Sequence, residues 1–114
     1  MSEPWVDPLD RFRTAVKRRD VEDAWRYAGE AKRVPLSWAL RLTLLLADTR
    51  DRRYVPAARR FLARFATEVE PTLLQIKKVA DALDTLRLVG NNPALSEGAE
   101  RALEDLARQL QRLS

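Results

Sequence analysis

Two groups of residues are spaced so that they could do chemistry. Arg50, Arg52, Arg53, Arg59, Arg60 and Arg64 fall within one short stretch, and Asp81 and Asp84 lie one helical turn apart. Clustered guanidinium groups are what a phosphate backbone or an acidic protein surface requires. Paired carboxylates are the minimum for holding a metal ion or moving a proton. The aspartates are the weaker case. Lys77 and Lys78 precede them at ion-pairing distance, and no second acidic cluster is placed to share an ion with them, so a solvated face is the expected role. The chain has no histidine and no cysteine. Imidazole acid–base catalysis, thiol nucleophiles and the usual nitrogen and sulfur ligands of zinc, iron and copper are therefore excluded. Ser2, Ser37, Ser96 and Ser114 stand beside no plausible base, and Gly29, Gly90 and Gly98 form no phosphate-cradling loop. The expectation is a protein without catalytic residues, cofactor or metal.

The arginines carry a local charge. Arg50 to Arg64 holds six arginines and one aspartate, a net of +5 in a chain of net +4, which leaves −1 for all the rest. Phe61 and Phe65, interleaved with them, share a helical face with Ala58 and Leu62 and are expected in the core, not on a surface where bases stack. Arg60 and Arg64 fall on the opposite side, where Arg64 reaches Glu68 one turn later. A solvated face is the plainest reading of the block, a protein-binding patch comes next, and a nucleic-acid patch last.

Every element that positions these residues reads as a helix. Asp7 is an N-cap with Pro8 at the first helical position, and Leu9, Phe12 and Val16 form a stripe along a helix ending near Arg19. Asp20 caps a second helix with Ala24, Ala28 and Ala31 on a small-residue face, so the first two helices are expected to form a hairpin. Leu36 to Asp48 is apolar almost all round through Trp38, Leu40, Leu42, Leu44, Leu45 and Leu46, the mark of a buried helix. A fourth helix is expected from Val55 to Val69. The fifth, from Thr72 to Val89, is expected to bury Leu73, Ile76, Ala80 and Leu83 and to end on a left-handed Gly90. The sixth runs from Pro93 onward, capped by Asn92, with surface pairs Glu97–Arg101 and Glu104–Arg108. Strand-like alternation never persists. The fold class is all-α, a single compact bundle of five to six helices over residues 1–114.

The last helix adds a possible surface of its own. Leu103, Leu106, Leu110 and Leu113 are spaced three, four and three, the rhythm of a coiled-coil seam, and Leu95 and Ala99 extend it upstream. This stripe packs back onto the bundle or pairs with a second copy, making residues 93–114 a candidate for self-association and the chain a possible homodimer.

Other classes are set aside on similar grounds. Ala24, Ala28, Ala31 and Pro35 make the opening hairpin partly similar to a tetratricopeptide repeat through its second helix, but the first-helix positions do not fit and a 34-residue shift reproduces nothing. A helix-turn-helix reader over Asp23–Lys32 and Leu36 onward fails because leucines and a tryptophan would face base edges. The run "LTLLLA" falls far short of the roughly 20 apolar residues that span a bilayer. "MSEPWVDP" has no basic stretch followed by an apolar run, so no secretory leader or membrane partner is expected and the cytoplasm is the expected compartment.

"AVKRRDVEDAWRYAGEA", then "VPLSWALRLTLLLAD", then "RYVPAARRFLARF" resembles, over about residues 9 to 89, a group of small, uncharacterised all-helical proteins of actinobacteria. Members often carry a Trp-His pair where this chain has Phe61 and Leu62, which removes any role a histidine would have here. The resemblance implies a cytoplasmic helical module and attaches no activity to it. The combined expectation is a non-enzymatic module that binds another macromolecule, an unidentified protein partner first. The alternative is weak, sequence-tolerant nucleic-acid binding through the six arginines.

Overall fold

Proline, aspartate and asparagine divide the chain into helices through their backbone chemistry, and a computed structural model, which describes residues 7–89 and 92–113, shows how. Helix α1 (Pro8–Lys17) opens with the Asp7 carboxylate accepting from the Leu9 N–H at 2.9 Å. Helix α2 (Val21–Glu30) opens with Asp20 accepting from the Asp23 N–H at 3.1 Å. Helix α3 (Leu36–Asp48) follows Pro35 without a side-chain cap, and α4 (Tyr54–Glu68) also starts uncapped, with Pro56 in its first turn, where no intrahelical donor is needed. Helix α5 (Leu73–Val89) begins with a reciprocal capping box: Thr72 Oγ1 accepts from the Gln75 N–H at 3.1 Å and Gln75 Oε1 from the Thr72 N–H at 2.8 Å. Helix α6 (Pro93–Leu113) opens with Asn92 Oδ1 accepting from the Ala94 N–H at 3.1 Å. Gly90, the expected cap of α5, lies outside the described residues.

Two turns close in the same way without a glycine. Arg19 (φ 61°) and Arg50 (φ 54°) occupy the left-handed position after α1 and α3. Beyond them the Asp20 and Asp51 N–H groups reach back to the Ala15 and Leu46 carbonyls, both at 2.9 Å. This is the Schellman arrangement that glycine usually serves, so each arginine there carries backbone strain.

Helices α3, α4, α5 and α6 pack in a closed ring, each against the next and α6 back against α3. The α1–α2 hairpin leans on the outside of α3 through both of its helices, and the molecule measures 53 × 31 × 21 Å. The core runs through both parts. Phe12 of the hairpin, Leu40 and Leu46 of α3, Phe61 of α4 and Leu103 of α6 are all essentially inaccessible. Phe61 and Phe65 stack at 6.0 Å between centroids, inside as their shared face requires. Tyr54 donates its hydroxyl to the Leu83 carbonyl at 2.6 Å, tying α4 to α5, and burial pushes its phenol up to about 12.

Helix α5 departs from expectation. Leu83 and Leu86 are buried, but Leu73 is 85% exposed, and Leu74 and Leu88 join it outside. Leucines on opposite faces leave α5 with little amphipathic character, so spacing alone assigned Leu73 to the wrong side. Among the described residues there is no strand, and no helix is long and apolar enough to cross a membrane.

Candidate functional site

The six arginines do not form one patch. Arg53 is half-buried and turned back onto its own chain: its Nε and Nη2 donate to the two Asp51 carboxylate oxygens at 2.8 and 2.7 Å, and Nη2 also reaches Glu22 of α2 at 2.6 Å. Its guanidinium lies 5.4 Å from the centre of the Trp25 ring. The Arg53 side-chain bonds hold the Asp51 carboxyl down at about 2. Arg64 donates through Nε to Glu68 at 2.6 Å, as its spacing implies, and Arg33 reaches the same carboxylate at 3.3 Å. Arg64 holds the Glu68 carboxyl below its usual range, with Arg33 adding to the effect. Arg50, Arg52, Arg59 and Arg60 are exposed and make no ion pair among the described residues. Arg50, Arg52 and Arg59 border two neighbouring shallow grooves at the start of α4, where Arg87 of α5 joins them; Arg60 borders neither.

The leucine seam of α6 is largely occupied by the chain itself. Leu103 and Leu110 are buried against the ring and Leu106 is half-buried, with Ala107 fully buried between them. The side chains of Leu113 and Leu95 lie outside the described residues. A seam between two copies through Leu103 and Leu110 would have to reopen this core. Two expected surface pairings also change. Glu97 and Arg101 pair at 2.9 Å, but Arg108 turns to Asp105 instead of Glu104. Asp84 pairs with Arg87 at 3.0 Å, not with the lysines before it. Competition at three-residue spacing decides both cases.

The feature that the sequence hid is on α3. Its apolar character runs nearly all round, yet the ring and the hairpin leave one strip uncovered. Trp38, Arg41, Leu44, Leu45 and Asp48 line an open groove of about 690 Å³ between α1 and α6. These positions fall on one face over about 15 Å at 1.5 Å per residue. Leu44 and Trp38 are half-buried, not enclosed. Phe12 meets the Trp38 ring edge-on at 6.3 Å, while Arg41, Arg13 and Lys17 lie 5.6 to 6.0 Å from its centre. The Nε groups of Arg13 and Arg41 are buried beside it with no hydrogen-bond acceptor among the described residues.

The walls of this groove carry opposite charge. Lys17 stands on the α1 side, where Arg19 bridges to Asp48, and Glu100 and Glu104 stand on the α6 side. Glu104 is available because Arg108 has turned to Asp105. Comparison of the chain with protein-family models, with curated proteins and with solved structures finds no match.

Proposed function

We propose that this chain is a non-enzymatic binding module for another protein, and that the groove along α3 receives an amphipathic helix of that partner. The observation that carries the reading is the uncovered strip of α3, with half-buried Trp38 and Leu44 as an apolar floor, Leu45 buried beside them, between a cationic and an anionic wall. Helices dock in grooves by laying an apolar stripe on such a floor. The opposed walls favour a helix with acidic residues along the edge meeting Lys17 and basic residues along the edge meeting Glu100 and Glu104. Nucleic acid is disfavoured at this groove, because phosphates would meet those glutamates without a neutralising cation.

A photo-crosslinking residue placed at Leu44 in the producing cells tests the proposal, with exposed Ala63 on α4 as the control position. A discrete protein adduct at position 44 and not at 63 is expected. The purified partner should then lose binding to Leu44→Arg while that variant keeps its cooperative melt. Identical adducts at both positions, adducts to nucleic acid alone, or a partner indifferent to Leu44→Arg overturn the reading.

A further inference from the structure

Away from the α3 groove, the turn between α3 and α4 meets the end of α5 at a surface of different character. Two shallow grooves of about 290 and 440 Å³ adjoin there and share Tyr54, Val55 and Arg87. Arg50, Arg52 and Leu88 border the first, and Arg59 borders the second. The acids nearby are already occupied: Asp51 is gripped by Arg53, and Asp84 pairs with Arg87. Arg50, Arg52 and Arg59 therefore present three positive charges without a counter-ion among the described residues. In their midst Leu88 is 64% exposed and Val55 is half-buried.

We infer that this end of the bundle is a second docking surface, which takes an acidic protein segment carrying an apolar side chain. Charge complementarity selects the acid, since exposed arginines pair bidentately with carboxylates. The exposed leucine selects the class of partner. A phosphate backbone offers Leu88 nothing to pack against, and among the described residues no aromatic ring bordering this surface is open for bases to stack on. Tyr54 is only 6% exposed with its hydroxyl bonded inward, and Phe61 and Phe65 are core. An acidic segment with a leucine or phenylalanine satisfies both features at once. Among the described residues the surface shares only the core residue Leu86 with the groove along α3, so either can fail while the other stands.

The left-handed backbone at Arg50 supplies a discriminating variant. Glycine fits φ 54° without the Cβ penalty, so Arg50→Gly should melt no lower than the parent while removing a docking charge. Binding to the full chain is read by fluorescence anisotropy at low salt. The probes are a Glu/Asp-rich peptide containing leucines, the same peptide with serine in their place, and single- and double-stranded oligonucleotides of similar charge. The leucine peptide should bind most tightly. Arg50→Gly should weaken it by about threefold and Arg59→Glu by about tenfold or more, the range of interface charge changes. Leu88→Ser should erase its advantage over the serine peptide, and Leu44→Arg should leave it unchanged. Oligonucleotides that bind as tightly, with Leu88→Ser silent, would assign the surface to nucleic acid and overturn the inference. So would peptide binding that ignores Arg50→Gly and Arg59→Glu, or no binding by any probe at low salt.

Discussion

Replacing Arg53 with methionine should unlock the corner where α2, the α3–α4 turn and α4 meet. Methionine keeps an apolar stem against Trp25 and removes the guanidinium. The two bonds to Asp51, at 2.8 and 2.7 Å, form a bidentate pair whose side chains are 21% and 18% exposed. A charge-assisted pair of that kind contributes about 1.5 to 3 kcal/mol, and water at this partly open site favours the lower half of the range. Glu22 is 81% exposed, so its bond adds at most about 0.5 kcal/mol. Stacking over Trp25 adds a further ~0.5 kcal/mol. The loss should be about 2 to 3 kcal/mol, which for a chain of this size lowers the melting temperature by roughly 8 to 12 °C. Circular dichroism melts at neutral pH read it directly. The acid dependence makes the test specific. The Asp51 carboxyl is held at about 2, below its ordinary value, so its stabilisation is complete above about pH 4 and is lost as pH falls toward 2. The gap between wild type and Arg53→Met should narrow over that window. Equal melts at neutral pH, or a gap unchanged in acid, would refute Arg53 as the strap of this corner.

The open strip on α3 predicts unequal neighbours: Leu45→Ala, at a buried position, should cost about 2 to 4 kcal/mol in urea unfolding and Leu44→Ala about half or less, whereas equal losses would show the groove closed. Tyr54→Phe should cost about 1 kcal/mol at neutral pH through the lost bond to Leu83. Because burial raises the Tyr54 phenol from 10 to about 12, its share of stability holds below pH 10 and is lost as pH rises toward 12. Superimposable alkaline profiles for wild type and Tyr54→Phe would show that the hydroxyl is not buried.

What was legible in the sequence was mostly local. Asp7, Asp20 and Asn92 cap the helices they precede, and Phe61 with Phe65 faces inward, because these outcomes depend on neighbours within one or two turns. The capping box at Thr72 and Gln75 is local in the same way, its two partners three residues apart. The candidate surfaces depend on partners far along the chain. Arg53 meets Glu22 from 31 residues away, and Arg87 joins Arg50, Arg52 and Arg59 only after the ring closes. No periodicity reports such meetings. Helix α3 fails for a different reason: when every side of a helix is apolar, its pattern cannot say which side the fold leaves open.

The closed ring has a consequence for the chain while it is being made. Helix α6 completes the ring by returning to α3, but its last residue, Leu113, is joined 65 positions after Asp48 ends α3. At about 5 to 20 residues per second, synthesis leaves the most apolar helix without that neighbour for roughly 3 to 13 seconds. During that interval the side of α3 destined for α6 is uncovered beside the strip that stays open in the finished fold. A newborn chain therefore presents a wider apolar surface than the mature one.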